Sequence, residues 1–199
     1  SFHGRTLGSL ALTSSKAIQR RGFGPMQAGT FHTPYATCYR CPVGLKPETC
    51  QAECLGFLED QVLVHLVSPD EVAGVLVEPI QGEGGYVVPA PQFHERLRAL
   101  TKKHGMLLIA DEVQSGMGRT GKLWACEYSG VKPDILCSAK GLASGLPLSA
   151  TFANADVMSW PPGAHASTFG GNPVSSAAAV KTLELLDRQR TALGKRSTL

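Results

Sequence analysis

The chain of 199 residues contains no run of about eighteen apolar residues, so no membrane-spanning helix is expected. Charge of one sign is scarce: 19 Lys and Arg against 16 Asp and Glu leave a net +3. There is no basic block and no basic patch interleaved with aromatics, and a nucleic-acid partner is not expected. The chain opens on Ser-Phe-His-Gly, without a Met and without a charged stretch followed by an apolar one, which speaks against a secretory leader within it. What remains is the composition of a soluble globular protein, long enough for one full core.

The most informative stretch runs from Met106 to Gly145. Met106 to Ala110 is an apolar run of strand length that breaks into Asp111 and Glu112 before a glycine-rich loop, Ser115 to Gly121. Carboxylates at the end of a buried strand belong to a site more readily than to a core. A second apolar run from Asp134 delivers Lys140, which Gly141 and a flexible Leu-Ala-Ser-Gly-Leu-Pro follow. Leucine and isoleucine on both sides place this amine near low-dielectric surroundings, where burial lowers an amine pKa and makes it a usable nucleophile and base. Asp111 and Lys140, at the ends of two strands, are expected to face one ligand.

The flanking segments supply the rest of an α/β architecture. Val72 to Val77 reads as a buried strand of parallel-sheet type, ended by Pro79 and a glycine loop with Glu78 and Glu83 at its exit, the end where open α/β sheets bind ligands. Residues 91 to 104 read as a helix, with Pro near its start, apolar Phe93, Leu97 and Leu100, basic residues in its last turns and Gly105 to end it. Strand, helix and strand in this order imply a right-handed crossover that brings Glu78 and Asp111 to one sheet edge. Residues 1 to 6 read as a strand end turning into a loop, 22 to 54 as an excursion with few regular elements, and Glu48 to Val67 as an amphipathic helix. Leu148 to Ala153 suggests a further strand. Asn172 and Pro173 cap a helix from Val174 to Leu186, and the tail from Asp187 to Leu199 is expected to fray.

Ile109 to Gly121, followed by Ser138-Ala-Lys-Gly141, resembles the signature of the class III (ω- and ornithine-type) aminotransferases, which use pyridoxal 5'-phosphate (PLP). Phe2-His-Gly-Arg-Thr6, Glu78-Pro-Ile-Gln-Gly-Glu83 and Thr168-Phe-Gly-Gly-Asn-Pro173 match further elements of that family. The resemblance implies the large domain of the fold type I PLP enzymes, a mostly parallel sheet flanked by helices, here without the segment that cups the phosphate and without the small domain. It implies that Lys140 holds PLP as a Schiff base and moves the proton, and that Asp111 keeps the ring nitrogen protonated. Phe2 and Val113 then sandwich the ring beside His3, Gln114 bonds the ring's 3'-oxygen, and Glu78 stands close behind.

Arg5 faces a substrate carboxylate by the same resemblance, and Glu83 pairs with a small-domain arginine to switch between amino donors. Thr168 reaches the phosphate of the neighbouring subunit, implying a homodimer. The implied reaction moves an amino group from an ω-amino donor (4-aminobutyrate, ornithine or acetylornithine type) to a 2-oxo acid such as 2-oxoglutarate. A racemase or decarboxylase on the same scaffold, or a non-catalytic fragment, are the alternatives; Gln114 argues mildly against the aminomutase branch. The cytoplasm, or the mitochondrial matrix in a eukaryote, is the expected compartment.

Six cysteines would mark a disulfide scaffold only in a small secreted protein, so reduced thiols are expected. Cys38-Tyr-Arg-Cys41 and Cys50-Gln-Ala-Glu-Cys54 have spacing able to bind a zinc ion through four thiolates. The gap of eight residues between them is short for the commoner zinc ribbons, and the implied chemistry needs no metal, so free or packed cysteines are expected and no metal is assigned to the site.

Overall fold

A computed structural model describes the backbone of residues 1–196 and the side chains through Gln189. Its centre is a four-stranded sheet in the order β1-β2-β3-β4, formed by Gly74–Val77, Leu107–Asp111, Ile135–Ser138 and Ala150–Ala153. The first three strands are parallel, with Val77 opposite Ala110 and Asp111 opposite Cys137, and β4 returns antiparallel along β3. Because β1, β2 and β3 point the same way, their carboxyl ends share one edge, where Asp111 ends β2 and Glu78 and Lys140 follow β1 and β3 within two residues.

Four α-helices complete the described chain: α1 (Leu7–Leu12), α2 (Leu63–His65), α3 (Gln92–Lys103) and α4 (Pro173–Arg196). Apolar residues at helical spacing on α3, Phe93, Leu97 and Leu100, are buried against Val77, Leu108 and Met106. Each such side chain contributes about 1.5–3 kcal/mol by leaving water. Lys102 and Lys103 occupy the last turn, where the carbonyl end of the helix dipole favours cations, and Gly105 leaves it at φ +69°. The guanidinium of Arg98 donates to both oxygens of Asp134 (2.5 and 2.7 Å), and Asp134 also accepts the Leu108 N–H at 2.8 Å. That fork fixes α3 to β2 and to the start of β3. A second, smaller core joins Met117, Leu142 and Ala143 to Ala179 of α4.

Three sequence expectations need correction. Residues 1 to 6, expected as a strand end turning into a loop, contain no strand, and they lead directly into α1: Thr6 caps the turn through its carbonyl to the Leu10 N–H, its hydroxyl meets that of Ser9, and Leu10 and Ala11 are buried. The segment Glu48 to Val67 is not one amphipathic helix, because Ala52 sits at φ +63°, a left-handed conformation no helix can run through. Beyond it the chain winds as a 3-10 turn (Glu53–Leu55), a π-helical stretch (Phe57–Val62) and α2. The wider winding puts Leu58, Val62 and Leu63 together in the core and leaves His65 and Leu66 outside. At the other end, α4 continues past Leu186 to Arg196, so the tail is helical this far; residues 197–199 lie outside the described residues. Among the described residues no helix is long and apolar enough to cross a membrane.

Candidate active site

At the exit of β1 the chain reaches Pro79, which has no N–H for a sheet ladder. The Glu78 carboxylate, only 4% exposed, is held by backbone donors: the Phe2 N–H at 2.9 Å and the Gly82 N–H at 2.8 Å. The Tyr35 hydroxyl donates to the Glu78 carbonyl at 2.9 Å, and burial, reinforced by the Glu78 charge, pushes its phenol well above the ordinary value. Glu78 therefore ties the N-terminal segment to the sheet edge.

One residue further along that segment, His3 Nδ1 lies 2.8 Å from Asp111 Oδ2, with the two side chains 5% and 10% exposed. Asp111 Oδ1 accepts the Val113 N–H at 3.0 Å. Each oxygen thus has one fixed partner and keeps a lone pair, so the carboxylate is both oriented and able to accept one more donor. His3 is fixed in turn by its own N–H, which donates to Thr13 Oγ1 at 2.9 Å; the Thr13 hydroxyl is fully buried against the Gly4 and Ser9 carbonyls.

Lys140 stands on the neighbouring strand exit, where its Nζ donates to Gln114 Oε1 at 3.0 Å. The expectation of a low-dielectric setting for this amine is not met in this chain: Lys140 is exposed. It opens a 3-10 turn (Lys140–Ala143) at φ +42°, and this left-handed start gives the buried positions to Leu142 and Ala143 while the lysine stands on the rim. Gln114 lies flat over Gly82. A Cβ at residue 82 would stand 2.6 Å from Gln114 Nε2 and 2.7 Å from Oε1, so only glycine lets the amide lie there.

Glu83 accepts from Lys16 Nζ and from Gln19 Nε2, both at 3.1 Å. The Lys16 hydrogen bond and charge, with smaller help from Gln19 and Arg5, hold its carboxyl below the ordinary carboxylate value. Arg5 is exposed and stacks over the Phe2 ring at 5.6 Å. Thr168 is exposed on the loop before α4, where Asn172 Oδ1 accepts the Ser175 N–H at 3.0 Å as the helix cap. The structure therefore brings together His3 with Asp111, Phe2 with Glu78 and Gln114 with Lys140. It leaves Arg5 and Thr168 facing solvent.

Two contributors, Lys16 and Gln19, were missed in the sequence, and one of the two strand-end carboxylates assigned there to a site turns inward instead. Glu112 is fully buried and spans the glycine loop, its carboxylate accepting from Ser115 Oγ at 2.5 Å and the Cys126 N–H at 2.8 Å. Burial first, and then the Glu112 charge, pushes the Cys126 thiol up to about 12. Lys16 and Gln19, which hold Glu83 from over sixty residues away, carry no local pattern that announces it.

Two cavities meet this edge. His3, Glu78, His32 and Tyr35 help line a chamber of ≈ 710 Å³; burial and the nearby Arg20 charge press the His32 imidazole below its ordinary value. Val113, Gln114, Lys140 and Gly82 line an open groove of ≈ 1370 Å³. The donor set suits a cofactor with a basic ring nitrogen and an aldehyde: an oriented carboxylate in Asp111 and a primary amine in Lys140, with an amide in Gln114. Ser138 Oγ, buried two residues before Lys140 without a partner among the described residues, leaves a further donor unspent.

The family model described as aminotransferase class-III matches residues 1–196. The alanine/serine racemase of Pyrococcus horikoshii is 41% identical over 192 residues, covering 94% of this chain and 40% of that protein. The 4-aminobutyrate aminotransferase of Mycobacterium leprae is 40% identical over 190 residues, covering 94% and 42%. Among solved structures, a PLP-bound amine transaminase from an uncultivated Pseudomonas species superposes with a TM-score of 0.87 at 34% identity, over 96% of this chain and 44% of that one. The chain thus spans about two fifths of the length of these relatives. By this agreement along its whole described length, the chain belongs to the class III aminotransferase family.

Proposed function

We propose that this chain carries the cofactor-holding part of a PLP-dependent aminotransferase, and the observation that supports it most is the paired arrangement of His3–Asp111 and Gln114–Lys140 on adjacent strand exits. When bound, pyridoxal phosphate supplies an aldehyde that condenses with amines and a ring that accepts electrons from the substrate carbon. Asp111, oriented by His3 and by the Val113 N–H, accepts the ring nitrogen's N–H and favours its protonated form. Lys140 Nζ would be the amine that holds the cofactor and would serve as the general base and acid that moves the substrate proton. Gln114 aims that amine through its carbonyl and leaves its amide N–H₂ to donate to an anionic oxygen. Phe2 and Val113 would be the residues to cover the cofactor ring, and Thr168, exposed in this chain, would serve the phosphate of a second subunit.

For the substrate, Arg5 offers a planar fork for a carboxylate and Glu83, held by Lys16 and Gln19, lies within its electrostatic reach, which supports an ω-amino donor of the 4-aminobutyrate, ornithine or acetylornithine type with a 2-oxo acid as acceptor. A second reading, amino-acid racemisation, has support of its own in the 41% identity to an alanine/serine racemase. The test is the visible absorbance of the chain with added PLP, beside Lys140→Ala. A Lys140-dependent band supports the reading, and its absence overturns it for this chain. With the band in hand, conversion of 4-aminobutyrate or ornithine with 2-oxoglutarate selects the aminotransferase, while exchange of the α-hydrogen of alanine without oxo-acid formation selects the racemase.

A further inference from the structure

Away from the strand exits, Cys38, Cys41, Cys50 and Cys54 all line one small cavity of ≈ 10 Å³, with Ala36, Thr37, Pro42, Ala52 and Ala90 as the rest of its wall. We propose that these four cysteines form a structural site for a thiophilic divalent cation, zinc. The two pairs come from turns suited to chelation. Cys38 lies at the start of a 3-10 turn (Cys38–Arg40) and Cys41 caps it, so the two are one tight turn apart. Cys50 and Cys54 flank Ala52, whose left-handed φ of +63° folds the chain back between them. The Ala52 N–H already donates to Cys50 Sγ at 3.2 Å, the kind of backbone bond that stabilises a metal-bound thiolate, and Cys54 lies within electrostatic reach of all three other thiols.

The chemistry also fits what this segment lacks. The bonds described for residues 41 to 50 are local, Gly44 N–H to the Cys41 carbonyl, Thr49 N–H and hydroxyl to the Lys46 carbonyl and the contacts of Cys50 with Ala52 and Glu53, and most of their side chains are exposed. A cation joining the two turns would close this loop where little core does so. As the side chains stand, no three His, Cys, Asp or Glu groups among the described residues are gathered tightly enough to hold an ion. Binding must therefore draw the thiols inward, and Cys50 must release its 3.3 Å contact to Glu53 Oε2. Four Zn–S bonds form as the thiol protons pass to buffer, with no change of oxidation state.

The test uses the full chain, reduced with a phosphine and titrated with Co²⁺ as a spectroscopic stand-in and then with Zn²⁺. The expected result is one equivalent of metal, the charge-transfer and ligand-field bands of tetrahedral thiolate cobalt, bleaching by zinc, and proton release on binding. Cys41→Ser and Cys50→Ser should each weaken binding by at least 100-fold, while Cys126→Ser leaves it unchanged. Failure of the reduced wild-type chain to take up metal, or uptake insensitive to both serine variants, overturns the proposal. The wild-type stoichiometry decides the matter even if a variant does not fold, and neither readout depends on PLP.

Discussion

Gly82→Ala separates what the fold needs from what the candidate site needs. The three atoms nearest the added methyl all belong to the Gln114 side-chain amide, and the backbone at residue 82 is not in the left-handed region. The amide lies at the end of a flexible side chain, so it yields by changing rotamer, at about 0.5–1.5 kcal/mol. Alanine in place of glycine returns about 0.4–1 kcal/mol by restricting the unfolded chain. The Gly82 N–H keeps its bond to Glu78, so the two effects nearly cancel and the urea midpoint should move by less than about 1 kcal/mol in free energy. Lys140, in contrast, loses the 3.0 Å contact that aims it. Trapping of pyridoxal phosphate on Lys140 by borohydride, read by mass spectrometry, should slow by several-fold. Gln114→Ala should slow it equally, and the double variant no further, because both changes remove one and the same contact. Additive effects, or a loss of stability above about 3 kcal/mol in Gly82→Ala alone, would refute the assignment of this glycine to the glutamine.

Three further outcomes follow from contacts described above. Glu112→Ala removes a buried acceptor from the Cys126 N–H and the Ser115 hydroxyl and should cost on the order of 2–4 kcal/mol in denaturant unfolding, with Glu112→Gln milder because its carbonyl can still accept. The Arg98 bond holds the Asp134 carboxyl below its ordinary value, so this pair's contribution is complete above the unfolded carboxylate pKa of about 4 and is lost as pH falls through the lower folded value. Arg98→Met should therefore unfold more easily at pH 7 and show a flatter stability loss in acid, as urea midpoints across pH 2–7 would report. Tyr86→Gly, at a solvent-exposed residue with φ +57°, should be neutral or stabilising by up to about 1 kcal/mol in the same assay.

The strands and the residues that leave them were legible because their signals are local. An apolar run ending in Asp111, and another ending shortly before Lys140, each announce a strand and its exit within a dozen residues. α3 was legible for the same reason, with Pro91, its apolar spacing and Gly105 all agreeing. The stretch from Glu48 to Val67 was not: its apolar residues fit a regular helix, and the left-handed Ala52 and the π-helical winding are set by tertiary packing that periodicity does not record. The setting of Lys140 was misjudged because flanking leucines say that a turn is buried without saying which of its residues faces inward. The partners of Asp111 and Glu83 were illegible for a plainer reason: His3 lies 108 residues from Asp111 and Lys16 lies 67 from Glu83, and no pattern in one segment names the other.

That same distance orders events in time. His3 and Phe2 leave the ribosome long before the strands whose ends they bind, and at the usual 5–20 residues per second the 108 residues up to Asp111 take roughly 5–20 s to follow. Over that interval the Phe2–His3 segment of the nascent chain waits for carboxylates not yet made. The oriented Asp111 exists only after this closure, so a partly folded chain presents Lys140 without its counterpart.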